Sequence, residues 1–182
     1  DDAINSEHYT DGSIDTAHIG DSQVTAAKVT GLTTGKILQV QSMTTSTQTE
    51  VTSTSFSDTA IRDSITPSAT SSKIMIIITD SCQYFNKPGS NDNGMGFRIK
   101  RTSGDVTVAA DNQPYEGFYH STATGDPNFR QHMTFTAIDS PNTTSSVEYV
   151  HQINVYRSGN GAKARSVHDS NRGNMILLEI GA

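Results

Sequence analysis

The chain has 182 residues and a formal net charge of −6, is 33% apolar and 18% charged, and carries 46 Ser and Thr residues. An acidic balance disfavours nucleic acid as a partner. The single Cys82 excludes a disulfide framework and a cysteine metal site, and no apolar run is long enough to predict membrane insertion. Abundant β-branched Thr beside strong apolar runs points to an all-β protein rather than to disorder.

Apolar side chains open the chain at Ile4, Tyr9, Ile14, Ile19, Val24 and Val29, one every five residues. Small residues stand two positions before the last four, at Gly12, Ala17, Ser22 and Ala27. A strand repeats every two residues, so a five-residue step would flip each apolar group to the other face. A helix turns about 100° per residue, so the same step walks off any one face. The pattern predicts a shaft that turns once per repeat or winds around partner chains, with Ile14, Ile19, Val24 and Val29 facing those partners. Repeats of this kind need neighbours to bury their apolar row. Asp1, Asp2, Glu7, Asp11, Asp15 and Asp21 against Lys28 give the first thirty residues −5 of the total −6, leaving −1 for the rest. The chain opens inside its own repeat, so it reads as the C-terminal piece of something longer. His8 and His18 share one register and could form imidazole rings around an axis. Gln23 and Lys28 occupy the same register, which favours a solvent-facing position, and no metal or other cofactor is expected.

Residues 30–36 read as a joint, giving a stalk over 1–34 and a head over 35–182. Strands are expected at Lys36–Met43, Thr52–Ala60 and Lys73–Cys82, with a turn at Ile65–Ser68 where Pro67 restricts Thr66. Met95, Phe97 and Ile99 alternate with Arg98 and Lys100. Val106 and Val108 mark a short strand. Phe129, Met133, Phe135 and Ala137 line one face of the next, and Val147, Tyr149, Ile153 and Val155 line another. Eight or nine such strands with polar turns make an antiparallel β-sandwich or jelly-roll-like head on a short extended stalk. Two strands are apolar on both faces: Ile74, Ile76 and Ile78 against Met75 and Ile77, and Met175 and Leu177 against Ile176, Leu178 and Ile180. One sandwich covers only one face of a strand. A symmetric assembly is expected to cover the other through residues such as Ile77 and Leu178.

Three long polar stretches read as loops, 83–94, 111–128 and 158–174, and loops of that length are usually functional. The second carries Tyr115, Glu116, Phe118, Tyr119 and His120, a set suited to stacking on and hydrogen bonding to sugar rings. The third carries Lys163, Arg165 and Arg172, with Arg157 before it, a cationic patch suited to phosphate or carboxylate. No nucleophile, base and orienting group stand in a recognisable arrangement, and Glu116 and Asp126 resemble ordinary loop acids, so no enzyme is expected. Cys82 ends a buried strand and reads as inert.

The segments SIDTAHIGDSQVTAAKV, KILQVQSMTTSTQTEVTSTSFSDTAIRDSITPSATSSKIMIIITDS and MILLEIGA resemble, in order, the linking repeats, the opening and the closing strand of the C-terminal unit on bacteriophage tail fibres, especially those of marine phages. The resemblance implies a homotrimeric fibre tip in the virion. Its partners would be the rest of the fibre or tail and a bacterial surface glycan or outer-membrane receptor. A structural segment that trimerises and caps the shaft is the alternative, and a polysaccharide-degrading tip a lesser one. The resemblance carries over no receptor-binding residues.

Overall fold

The structure is a computed structural model describing residues 17, 19, 20, 24, 36–85, 91–108, 115–122, 128–156 and 161–181, with the backbone alone for 91–93 and 115–122. The chain divides into two units, Asp1–Thr34 and Gly35–Ala182. The geometry of the pentads, with Ile14, Val29, His8 and His18, lies outside the described residues. Ile19 and Val24 are described, and both side chains are exposed.

The second unit contains β1 (Ile37–Thr45), β2 (Thr49–Val51), β3 (Ser57–Ile65), β4 (Lys73–Phe85), β5 (Asn91–Arg101), β6 (Val106–Thr107), β7 (Tyr115–Thr122), β8 (Asn128–Asp139), β9 (Val147–Val155), β10 (Lys163–Ser166) and β11 (Gly173–Ile180). One sheet runs β1-β11-β4-β10-β2 with β8 on the other edge of β4; the second runs β3-β9-β5-β6 with β7 also on β5. Setting aside the short β2, β6 and β10, the orders are β1-β11-β4-β8 and β3-β9-β5-β7. This is the strand order of a jelly roll, in which paired Greek keys wrap two antiparallel sheets around one core.

The core is built by alternation. Ile74, Ile76, Ile78, Cys82 and Tyr84 of β4, Met175 and Leu177 of β11, Met95, Phe97 and Ile99 of β5, and Tyr149, Ile153 and Val155 of β9 are all buried. Thr side chains repair the ladder where it breaks. The β3–β9 register shifts between Asp58 and Arg62. At that bulge the Ala60 N–H donates to Thr49 Oγ1 at 3.2 Å and the Ile61 N–H to Thr59 Oγ1 at 3.1 Å. Backbone donors that would be orphaned by the bulge are thereby satisfied. The turn after β3 is pinned by Glu179, whose carboxylate accepts from Ser68 N–H at 2.7 Å, Ser68 Oγ at 2.6 Å and Gln39 Nε2 at 2.6 Å.

The three stretches read as long loops each contain strand. β4 continues to Phe85 and β5 begins at Asn91, β7 fills Tyr115–Thr122 and β8 begins at Asn128, and β10 interrupts the third stretch. Their Asn- and Gly-rich composition hides the ladders that hold them: Cys82–Phe85 pair with Asn128–Gln131, and Asn91–Gly94 with Tyr119–Thr122. Cross-strand partners far away in sequence supply the hydrogen bonds that local propensity does not predict.

Candidate functional site

The outer faces of the two sheets differ. On the β3-β9-β5 sheet the outward groups satisfy one another. Arg62 forms a fork on Glu148 at 2.8–2.9 Å, Gln152 bridges Asp58 and Arg98, Arg98 stacks 4.5 Å over the Phe56 ring, and Lys100 meets Asp105. On the β1-β11-β4-β8 sheet the register lines up Val40, Leu178, Met75 and Ile138, and beside them Ser42, Ile176, Ile77 and Thr136. None of these eight carries a charge. Val40 and Ile138 are 56% and 59% exposed, and Met75, Ile77, Ile176 and Leu178 are half-buried.

The sequence-predicted binding residues do not gather at one place. Tyr115, Glu116, Phe118, Tyr119 and His120 lie along β7, where Phe118 pairs with Met95 and Tyr119 with Gly94. Strand alternation puts the neighbours Phe118 and Tyr119 at positions on opposite faces of the sheet. Lys163 and Arg165 are strand residues. Lys163 Nζ reaches Glu50 Oε1 at 2.7 Å, and Arg165 reaches Glu50 Oε2 at 2.8 Å and Gln83 Oε1 at 2.9 Å. Hydrogen bonds from Lys163 and Arg165 hold the Glu50 carboxyl below its usual range. These two cations of the patch expected here are therefore engaged, and one of their two charges is offset, by a carboxylate 113 residues before Lys163.

Arg172 stands apart. Arg62, Arg98, Arg101, Arg130 and Arg165 each engage a carboxylate or an amide oxygen. Among the described residues Arg172 has no such partner and is exposed. With Thr44, Thr45, Ser46 and Ser170 it lines a cleft of about 450 Å³. One wall is the end of β1 and the turn after it. The other is segment 167–172, which fills the space beside β4 between β11 and β10. The walls are tied together: Thr44 Oγ1 donates to Asn174 Oδ1 at 2.8 Å, and the Asp169 N–H to Gln48 Oε1 at 3.2 Å. The segment is further held by Val167 N–H on Asp80 Oδ1 at 2.9 Å, Asn171 Nδ2 on His168 O at 2.9 Å and Arg130 on Asp169 at 3.0 Å. These bonds keep Val167, Asp169 and Ser170 in the left-handed region, at φ 55°, 52° and 58°. Non-glycine residues in that conformation cost about 1–3 kcal/mol each, and such strain clusters at functional sites.

A second polar cluster lies in the core. Asp80 and Cys82 of β4 meet His151 of β9, all wholly buried. Cys82 Sγ lies 3.3 Å and His151 Nδ1 3.5 Å from Asp80 Oδ2. These are the residue types of a thiol nucleophile, base and orienter, but the cluster is closed to solvent and the thiol is directed at a carboxylate. Burial and then Asp80 push the Cys82 thiol far up, the reverse of what a nucleophile needs. Asp80 instead anchors Val167, at the head of the strained segment. His151 was legible in principle, because period two from Tyr149 and Ile153 puts it on the core face. Among the described residues no group of three or more His, Cys, Asp or Glu side chains is set to hold a metal ion.

No family model matches the chain and no curated protein matches it. Among solved structures it is similar to a D431N mutant VP2 protein of infectious bursal disease virus in T=1 particles, with 13% identity, a TM-score of 0.34, and coverage of 78% of this chain and 36% of that one. A VP2 subviral particle of the same virus gives 14% identity, a TM-score of 0.34, and coverage of 79% and 38%. The chain thus spans little more than a third of those chains. At these scores the likeness carries no argument about what this protein does.

Proposed function

We propose that the chain is a virion structural protein, the homotrimeric tip of a bacteriophage tail fibre, which attaches the particle to its host through a surface glycan. The observation that carries the assembly half is the unequal dressing of the two outer faces. The β3-β9-β5 face is finished with ion pairs and hydrogen bonds, whereas the opposite face presents an uncharged row four strands wide. Fully burying one aliphatic side chain is favourable by about 1.5–3 kcal/mol, so repeated copies of this row would hold subunits together. The attachment half rests on the sequence resemblance and on the polar cleft at Arg172. Light scattering after size exclusion should give three times the 19.6 kDa chain mass. A fluorescently labelled chain should then decorate bacterial cells, tested on a panel of marine isolates. A stable monomer would overturn the assembly half. A trimer that labels no cell on the panel would leave the structural cap as the better description.

A further inference from the structure

We propose that the cleft between Thr44–Ser46 and Ser170–Arg172 binds an acidic sugar unit, one that carries a carboxylate or phosphate beside ring hydroxyls. The inference names the ligand class for the attachment reading and rests on it. The cleft is lined by Thr44, Thr45, Ser46, Ser170 and Arg172, with no aromatic residue among them. Stacking on a neutral sugar is therefore not its mode of recognition. A guanidinium offers a planar fork that matches two oxygens of a carboxylate or phosphate. Hydroxyl side chains both donate and accept, which suits the hydroxyls of a sugar ring. The volume, about 450 Å³, falls among sites that take small ligands.

Arg172 is the described arginine left without a carboxylate or amide partner. The residues after the first thirty sum to only −1, so its unmatched guanidinium is a local feature and not part of a general field. The wall that presents it is fixed beforehand. Asp80, Gln48, Arg130 and the His168 carbonyl each hold one point of segment 167–172. Three residues of that segment are kept in left-handed backbone. A wall held in a costly conformation by bonds from β4, β8 and the turn after β1 presents Ser170 and Arg172 in one arrangement, which spares the ligand the ordering cost of a loose loop.

The test uses the full chain and calorimetric titration with glucuronate, glucose 6-phosphate, inorganic phosphate and glucose. At least one of the two acidic sugars should bind, glucose should not, and inorganic phosphate should bind more weakly than glucose 6-phosphate. The acidic sugar that binds identifies carboxylate or phosphate as the anion. Arg172→Gln should weaken that binding by about tenfold or more, the usual consequence of losing a charged hydrogen-bonding group. Arg172→Lys should retain part of it, and neither change should alter the thermal midpoint or the oligomeric state. Equal binding of glucose and glucuronate, no binding of either acidic sugar, or an Arg172→Gln chain that binds as before would each overturn the inference. So would an Arg172→Gln chain whose oligomeric state changes, because Arg172 would then serve an interface. Cell adsorption separates this inference from the reading beneath it. Arg172→Gln that adsorbs like the unaltered chain sinks the cleft and leaves attachment standing. Arg172-dependent sugar binding without adsorption does the opposite.

Discussion

His151 is the residue whose environment most constrains behaviour in solution. Its ring packs against both Phe97 and Phe135, with centroids 5.7 and 5.4 Å away, and neither ring nitrogen has a hydrogen-bond partner. Burial pushes its pKa down to about 4 from 6.5, although Asp80 pulls the other way. The unfolded chain therefore binds more protons than the folded one between those values, so stability is full above about pH 6.5 and falls as pH drops toward 4. The loss amounts to about 3 kcal/mol across that window. Urea midpoints at pH 7, 5.5 and 4 should show this decline, and His151→Leu should flatten it. Glu179 acts lower down. Burial raises its carboxyl, but donors from Ser68 and Gln39 outweigh that and hold it at about 2, against 4.5 ordinarily. Its contribution is present above pH 4.5 and is lost as pH falls toward 2, so that lower decline should survive in His151→Leu. Gly173 gives a second residue-level test. A Cβ there would lie 2.5 Å from Ile61 Cδ1 and 2.8 Å from Val167 Cγ2, both in the closed core. Gly173→Ala should cost about 1–3 kcal/mol by overpacking. Adding Ile61→Val, which deletes the nearer clashing atom, should recover part of the loss in a denaturation cycle.

Among the elements, β4 shows what period two decides. Ile76 faces the sandwich and is wholly buried, whereas Ile77 faces outward and is half-buried. Ile76→Asp places an unpaired charge in the core and should unfold the chain. Ile77→Asp should leave the circular-dichroism spectrum of a folded β protein and abolish assembly, as light scattering would show. An Ile77→Asp chain that still assembles would mean that the apolar row is not the subunit contact. Much of this element was readable in advance, because a strand apolar on both faces has two burial problems and a single sandwich solves one. The core faces of β5 and β9 were readable from plain alternation of apolar and polar residues. The end of β4, the start of β5 and the whole of β7 were not, since the polar, Asn- and Gly-rich stretches around them look like loop until their ladder partners are known. The candidate site was legible only in part. Arg172 was visible as a charge, but nothing local shows that Glu50 pairs with both Lys163 and Arg165 while Arg172 is left without a partner among the described residues. Nor does local sequence show that Ser46 and Ser170, far apart along the chain, line one cleft.

At the scale of the whole chain, the boundary between the two units makes a separate claim. Gly35–Ala182 holds the complete jelly-roll core, so removing residues 1–34 should leave a cooperative melt in circular dichroism. If the pentads bind partner chains as proposed, the shortened protein should dissociate at lower dilution than the intact one. A shortened chain that fails to fold would contradict the independence of the second unit. The same unit has its first and last strands side by side, with Gly181 N–H donating to the Lys36 carbonyl at 3.0 Å. A domain whose two ends touch can be spliced into a surface loop of an unrelated protein without stretching either host or guest. The sandwich between Lys36 and Gly181 is thus a transplantable cassette. Closing its ends with a short linker would let the chain be reopened at the exposed turn near Asn142 while every ladder is kept.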